Sequence, residues 1–362
     1  MAAGDGAPRE VAVVAFAQTK HAAADSGLSE TEMLQPVIAD VLDQAGLRRF
    51  EVGFTCSGSC DYLAGAPFSF VSALDALGAW PPISESHVEM DGAWALYEAW
   101  VRLQHGDVDS ALVYGFGKST QGQLREIMTL QLDPYYLAPL GPDQVSLAAL
   151  QARAYLEASG HTERDLAEVA ARSRRNAAAN PHAVPLDPLT PDEALARPPV
   201  VAPLRAADCA PITDGAAAVV LAAGEQARRL RSRPAWIRGI DHRIEPHYPG
   251  VRDLAASSSA AIAARRARAA AGGARAQPDV AELHAQFSHE ELILRDALGL
   301  AGGVIVNPSG GPLGANPVMA TGLIRIGEAA ARIHAGGADR ALAHASSGPC
   351  LQHNLVCLLE GE

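Results

Sequence analysis

The cysteines are the first residues in this sequence whose spacing could serve chemistry. Cys56 and Cys60 are separated by three residues, close enough for two thiolates to share one metal ion. A structural zinc site needs four ligands, and no second pair lies within reach along the sequence. We therefore predict free thiols and no metal site. The chain has five cysteines, an odd number at low density, which favours a reducing compartment over a disulfide framework.

Two arginine clusters could bind phosphate groups. They are Arg172-Ser-Arg-Arg175 and Arg265-Arg-Ala-Arg268. The formal net charge of −12 opposes binding to nucleic acids and anionic membranes, but it leaves room for a local pocket that holds one phosphorylated ligand. Such clusters are also typical of a solvated helix face, so both interpretations stay open.

The composition is that of a folded protein without a membrane span. Of the 362 residues, 48% are hydrophobic and 19% are charged, which excludes a disordered chain. No run of 18 apolar residues occurs, and Met1–Glu10 is polar and acidic, unlike a secretory leader. We expect a cytoplasmic protein.

Apolar runs and helical periodicities alternate along the chain. We predict strands at 11–16, 51–55, 111–114, 216–221 and 236–240, and helices at 30–45, 93–105, 144–159 and 164–179. Between 117 and 204 the strand signals vanish and proline-containing links interrupt the helices, which predicts an irregular, partly helical insertion.

An internal repeat organises the rest of the chain. Residues 90–115 align without a gap on residues 320–345, and the identities include both residues of a Gly-x-x-Asp turn. The clearest pairs are Gly92 with Gly322, Glu98 with Glu328, Gly106 with Gly336, and Asp109 with Asp339. Two copies of one helix–turn–strand unit predict an α/β fold with two pseudo-symmetric layered halves.

Three segments in this order resemble the thiolase superfamily. Residues 167–181 resemble the loop-domain stretch that ends in Asn-Pro, Cys209-Ala-Pro-Ile-Thr-Asp-Gly-Ala-Ala-Ala resembles the C-P-x-x-D-G-A-A-A segment, and residues 307–322 resemble the N-x-x-G-G…G-H-P-x-G-A-T-G block. The resemblance implies the thiolase fold, with α/β/α/β/α layers. It places the N-terminal half at 1–116 and 205–232, the inserted loop domain at 117–204, and the C-terminal half at 233–362.

The departures from the family pattern concern the catalytic residues. Val88-Glu-Met-Asp-Gly92 places glycine where the family has its nucleophilic cysteine. Asn316 stands where the family has the histidine that activates this cysteine, and asparagine is no base near pH 7. Acyl transfer needs a nucleophile and a base together, so we predict no ordinary thiolase activity.

The pattern resembles instead the lipid-transfer-protein-like, sterol-carrier-type group of actinobacterial thiolase-like proteins. Segments 56–65 and 88–97 carry this resemblance. Members are linked to steroid side-chain degradation, and some are retro-aldolases that cleave β-hydroxyacyl-CoA thioesters beside an OB-fold/zinc-ribbon partner protein. The resemblance implies an acyl-CoA substrate and no cofactor beyond the coenzyme A of that substrate.

A retro-aldol cleavage needs a base for the β-hydroxyl proton and donors for the thioester enolate. Measured against the family motifs, the catalytic candidates are His284, His344, Asn316, Asp91 and Tyr248. Asp91 at a helix start is also a natural N-cap. For coenzyme A the candidates are Arg174, Arg175, Ser309, Gly310 and Gly311.

Two alternatives to the lyase stay open. The chain could be a catalytically silent subunit that pairs with an active paralogue or an OB-fold partner, with Trp94 filling the acyl pocket. It could also be an acyltransferase that uses an unaligned cysteine such as Cys56 or Cys350. We further expect a homo- or heterodimer that pairs along an apolar edge near Ser110–Lys118.

Overall fold

The computed structural model describes residues 8–24, 27–273 and 277–362, so most of the polar segment Met1–Glu10 lies outside the described residues. The strands are β1 Val11–Gln18, β2 Phe54–Gly58, β3 Glu85–Val88, β4 Ser110–Lys118, β5 Pro199–Val201, β6 Leu204–Arg205, β7 Asp214–Ala223, β8 Ala235–Ile244, β9 Val280–Glu282, β10 Ile305–Val306, β11 Arg340–Ser347 and β12 His353–Glu360. The helices are α1 Glu30–Ala45, α2 Asp61–Ala64, α3 Phe70–Leu77, α4 Gly92–His105, α5 Leu124–Leu130, α6 Gln144–Ser159, α7 Glu163–Ala177, α8 Pro191–Leu195, α9 Gly224–Leu230, α10 Ser258–Ala270, α11 Ser288–Ala297 and α12 Thr321–His334.

Ten strands form one sheet with a pseudo-twofold order. The order is β10-β9-β11-β12-β8-β1-β7-β4-β2-β3, so each strand of one half has a counterpart at the same distance from the centre. The halves join where Ala12 and Val13 of β1 pair with Trp236 and Ala235 of β8. The predicted fold class, two pseudo-symmetric α/β halves, is confirmed.

Side chains along each strand point alternately to the two faces of the sheet, and this explains why helices pack in layers on both faces. In β4, Ala111 and Val113 belong to the central core that holds α4 and α12, while Leu112 and Tyr114 face the outer core that holds α1 and α3. The second half has its own outer core, which includes α10 and α11. Because successive side chains point to opposite faces, a strand with helices on both sides is apolar throughout.

The repeated unit folds as two equivalent helix–turn–strand segments. α4 ends at Gly106 and α12 is followed by Gly336, and both glycines have a positive φ, of 81° and 72°. A left-handed residue after the last turn is the position that favours glycine. The strands that follow, β4 and β11, occupy equivalent places in the sheet order.

Three expectations about the strands need correction. The run Ser110–Lys118 is not an edge: β4 pairs with β2 on one side and β7 on the other, and the edge of this half is β3. The insertion is not free of strands either, because β5 and β6 form a small separate sheet next to Pro198. In addition, the strand predicted at 51–55 is shifted to Phe54–Gly58, because Arg49–Glu51 form a 3-10 turn.

Within the part of the chain that the structure describes, no helix is both long and apolar enough to cross a bilayer.

Candidate active site

A cavity of about 160 Å³ lies at the point where α4 and α12 begin. Its polar wall comes from both halves and from the insertion, and comprises Cys60, Glu89, Asp91, Gln131, Gln144, His284, Gln286, Ser346 and Ser347. Its apolar wall comprises Leu63, Met90, Leu124, Met128, Val318 and Met319. Of the predicted site residues, only Asp91 and His284 line this cavity.

Asp91 ties the two halves together as a double helix cap. Its Oδ1 accepts hydrogen bonds from the N–H groups of Ala93 (2.9 Å) and Leu323 (3.0 Å), and its Oδ2 accepts one from Gly322 (2.9 Å). Burial raises the pKa of the Asp91 carboxyl, and the three N–H donors oppose that shift. Because all three partners are hydrogen-bond donors, the geometry favours the charged carboxylate. It also agrees with the helix-capping role that the sequence predicts for Asp91.

Gly92 leaves little space at the place of the family's cysteine. A Cβ atom there would lie 3.0 Å from Leu323 Cδ2 and 3.4 Å from Gly115 Cα. The Gly92 N–H donates to the Met319 carbonyl at 2.9 Å, and the Ala93 N–H donates to Asp91. These amides, which could otherwise stabilise a thiolate, are therefore bonded within the protein.

His284 follows β9 and carries the most informative contacts of the site. Its Nδ1 accepts the backbone N–H of Ser346 at 3.2 Å, so the proton of the neutral ring lies on Nε2. Nε2 lies 3.3 Å from Nε2 of Gln286, and because a ring N–H and an amide NH₂ are both donors, this is a contact and not a hydrogen bond. Burial lowers the pKa of His284 well below its usual value, and His344 and Arg325 lower it further. At neutral pH this imidazole is thus an uncharged hydrogen-bond donor rather than a base.

Gln286 connects this histidine to the insertion. Its side chain is hydrogen-bonded to Gln144, the first residue of α6, and its backbone N–H donates to Glu290 at 2.7 Å. Gln144 also lines a neighbouring cavity of about 140 Å³, which shares Met128, Gln131 and Gly348 with the first one. The inserted segment therefore contributes to the wall of the site.

His344, which we expected at the site with His284, does not line the cavity. It is fully buried on β11, and its Nε2 bonds to Oδ1 of Asn354 at 2.9 Å. The Asn354 amide donates in turn to Ser259 Oγ (2.6 Å) and to the Leu351 carbonyl (2.7 Å). Burial lowers the pKa of His344 to about 4. These contacts give His344 a packing role below the site.

Asn316 and Tyr248 also lie outside the cavity wall. Asn316 is buried, and its Oδ1 accepts the hydroxyl of Thr321 at 2.8 Å. Tyr248 is 47% exposed in the loop after β8, although its neighbour His247 lines the adjoining cavity. Neither contact set supports a direct catalytic role.

None of the residues predicted for coenzyme A lines this cavity. Arg174 donates to the Asp187 carbonyl at 3.1 Å, and Arg175 is exposed at the end of α7. Ser309 is buried and its hydroxyl donates to Glu282 at 2.7 Å. Cβ atoms on Gly310 and Gly311 would collide with Ala177 and Asn307, which shows that these glycines permit close packing between segments. For the two arginines, binding of coenzyme A stays a prediction.

The buried thiols bear on the acyltransferase alternative, and Trp94 bears on the silent-subunit alternative. Cys56 and Cys350 are buried away from the cavity, and burial raises the pKa of each thiol to about 12. A nucleophile must be an accessible thiolate, so neither suits acyl transfer. Trp94 does not fill the acyl pocket: its Nε1–H donates to His353 at 3.2 Å.

Cys60 is the thiol that lines the cavity, and we expect its reactivity to be low. Burial is the main factor that raises the pKa of Cys60 above its usual value. We predict that Cys60→Ser retains turnover within about threefold and that iodoacetamide at pH 7 inactivates slowly, since the protonated thiol is a poor nucleophile. Turnover assays and peptide mapping of the alkylated protein, with Cys357→Ser as the buried control, measure the two effects. Rapid alkylation of Cys60 in the parent, or a loss of turnover in Cys60→Ser beyond threefold, would contradict this prediction.

Sequence reasoning missed Glu89, Gln144 and Gln286. Glu89 lies two residues before Asp91 in a segment already quoted for its glycine, so proximity to the helix start was an available signal. Gln144 and Gln286 are 142 residues apart, and no local pattern indicates that they meet.

Comparisons with known proteins agree with the thiolase-like fold. No protein-family model matches the chain. It is 27% identical over 382 aligned positions to an acetyl-CoA acetyltransferase of Methanothermobacter thermautotrophicus, covering 96% of each chain. It is 26% identical to the 17-hydroxy-3-oxo-4-pregnene-20-carboxyl-CoA lyase of Mycobacterium tuberculosis, covering 77% of this chain and 76% of the lyase.

Two further similarities are informative. Sterol carrier protein 2 of Gallus gallus is 26% identical over 70% of this chain, which spans 54% of that protein. The solved structure of an Ltp2-ChsH2(DUF35) aldolase superposes with a TM-score of 0.80 at 21% identity, covering 98% of each chain. The chain therefore has the fold of thiolase-like proteins.

Proposed function

We propose that this chain, a thiolase-like protein similar to the lipid-transfer-type steroid-CoA aldolases, cleaves the Cα–Cβ bond of a β-hydroxyacyl-CoA without a cysteine nucleophile. The observation that carries the proposal is His284, a neutral donor on the wall of a cavity whose nucleophile position is a tightly packed glycine. A donor that is fixed before the reaction stabilises an enolate oxygen without reorganisation. Acyl transfer, in contrast, needs the missing thiolate.

The relatives support the same reaction class. The mycobacterial relative is named as a lyase of a steroid carboxyl-CoA, and the superposed structure is named as an aldolase. The acetyl-CoA acetyltransferase relative is named for acetyl-CoA, which is also a CoA thioester. Retro-aldol cleavage combines a CoA thioester with carbon–carbon bond breaking and needs no redox cofactor.

The cavity wall supports a bulky, apolar acyl group. Met90, Met128 and Met319 line it, and these are three of the five methionines in the chain. Methionine side chains are unbranched and adapt to irregular ligands. The adjoining cavity of about 140 Å³ offers a direction in which a lipid or steroid side chain could extend.

An assay of a β-hydroxyacyl-CoA panel tests the function. The chain is co-expressed with the products of neighbouring genes, and mass spectrometry follows each thioester. We expect one carbonyl product and one shortened acyl-CoA in equal amounts, with no thiolysis of 3-ketoacyl-CoA by free coenzyme A. Thiolysis, or the absence of cleavage with every partner, contradicts the proposal.

A silent subunit is the second candidate function. It is favoured by the fact that the amides at the start of α4 are all satisfied internally and by the partner named in the superposed aldolase structure, ChsH2(DUF35). In that case cleavage depends on a partner chain and is insensitive to His284.

We further propose that the chain dimerises through β3 and the exposed side chains beside it. β3 is one edge of the sheet, and Phe68 and Val71 are 70% and 51% exposed next to Phe70, which stacks on His87 of this strand. The unpaired backbone of this edge strand and the apolar side chains beside it together make a pairing site.

Sedimentation is expected to give about 75 kDa, twice the 37.7 kDa of one chain. We predict that Phe68→Glu shifts the parent dimer towards the monomer, because it places a charge in the apolar contact. Ile244→Glu, at an exposed position on β8, is the control and should leave the dimer intact. A stable parent monomer at micromolar concentration, alone and with partners, would overturn the prediction.

A further inference from the structure

The cavity contains few groups that could accept a proton. Among its described lining residues, the ionisable side chains are Cys60, Glu89, Asp91 and His284. Burial raises the pKa of the Cys60 thiol, so it holds its proton. Both oxygens of Asp91 accept backbone N–H groups, and Nδ1 of His284 accepts the Ser346 N–H. Of the two carboxylates among these described residues, Asp91 is buried, whereas the side chain of Glu89 is accessible.

Glu89 is held in place by its surroundings while it stays accessible. Its side chain is 51% exposed, and its Oε1 accepts the Asp61 N–H at 2.7 Å. Its Oε2 lies 3.3 Å from Nε2 of His87. The Cys60 thiol also hydrogen-bonds to the Glu89 side chain. A carboxylate offers about four lone-pair positions, so these three contacts leave one for a substrate hydroxyl.

His87 is itself fixed from two sides. Its Nδ1 lies 3.1 Å from the hydroxyl of Ser57, which is fully buried, and its ring stacks on Phe70 with centroids 4.6 Å apart. Ser57, His87 and Glu89 thus form a hydrogen-bonded series that ends at the cavity. A base oriented by a second residue, itself oriented by a third, is the arrangement that activates catalytic groups in many enzymes.

We propose that Glu89 is the general base of the retro-aldol reaction and that His87 is its positioning residue. This inference rests on the proposed function and assigns the proton acceptor that the function requires. Glu89 takes the β-hydroxyl proton, and the β-carbon becomes a carbonyl as the Cα–Cβ bond breaks. The bonding electron pair moves to the α-carbon and gives the thioester enolate, whose oxygen accepts the His284 Nε2–H. The proton on Glu89 then returns to the α-carbon, which restores the carboxylate.

Glu89→Gln is the decisive variant. Glutamine keeps the length of the side chain and an oxygen for the Asp61 N–H, so the fold should persist. We expect kcat for the cleaved β-hydroxyacyl-CoA to fall about 10²–10⁴-fold with little change in KM. Glu98→Gln, on the exposed face of α4, makes the same charge change as a control and should match the parent.

Chemical rescue separates a base from a structural residue. In Glu89→Ala, added formate should restore part of the lost kcat, because a small carboxylate can occupy the space left by the side chain. The assignment of Glu89 as the base is overturned if Glu89→Gln turns over within about threefold of the parent, or if formate does not rescue Glu89→Ala. In either case the proposed function still stands, provided that the parent protein cleaves the substrate. A parent that cleaves nothing in the panel instead contradicts the function itself.

Discussion

Replacement of His284 by alanine is expected to lower kcat for a β-hydroxyacyl-CoA by about 10²–10³-fold, the usual effect of removing one preorganised donor to a developing oxyanion. The Ser346 N–H fixes the ring so that Nε2 carries the proton. In the proposed reaction the coenzyme A and acyl groups provide most of the binding contacts, so we expect KM to change little. Steady-state kinetics on the same panel measures the effect.

His344→Ala is the matched control, because it removes a second buried imidazole of the same half. The structure gives His344 no contact with the cavity, so its loss should act mainly through stability. We expect a lower melting temperature and a much smaller fall in kcat of the folded fraction. If His284→Ala folds, assembles and turns over like the parent, the chemistry lies in a partner chain and the silent-subunit interpretation replaces the lyase.

Asp91→Asn is expected to lower the free energy of unfolding by about 1–4 kcal/mol, because one side chain caps two helices and each cap is worth about 0.5–2 kcal/mol. The asparagine amide can still accept at one atom, but its NH₂ group then faces a backbone N–H that Asp91 now satisfies. Urea unfolding of the parent and variant measures the difference.

Asp143→Asn is the control for this substitution. Asp143 caps α6 alone, through the Ser146 N–H at 2.8 Å, so we expect a smaller loss there. If the Asp91→Asn variant is as stable as the parent but inactive, the result contradicts the capping role. It would instead support Asp91 as a catalytic acid, which its position beside Gly92 also allows.

The fold was accessible from the sequence because its main signals are local or repeated. The helix at 30–45 follows Ser29, whose capping box with Glu32 is visible in the sequence and present in the structure. The repeat then predicted the two halves, since Gly106 and Gly336 mark the same turn. The capping box is recognised from a few neighbouring residues, and the repeat is recognised by aligning the sequence with itself.

The order of strands and the site were less accessible because they depend on distant contacts. The central residues of the run Ser110–Lys118 are apolar and buried, which is typical of a strand covered on both faces, whereas the thiolase resemblance predicts an edge there. His344 and Ser346 alternate onto the same face of β11, but only Ser346 lines the cavity. How deep each residue lies is decided by the segments packed around β11, and these are far away in the sequence.

The packing around Gly92 limits what an engineered cysteine could do at this position. Its Cβ atom would press on the side chain of Leu323, and its thiol would find no free amide at the start of α4 to stabilise a thiolate. The substitution Gly92→Cys alone is therefore not expected to create an acyltransferase, since acyl transfer needs an activated nucleophile. A design of that kind would have to change the neighbours of Gly92 together with Gly92 itself.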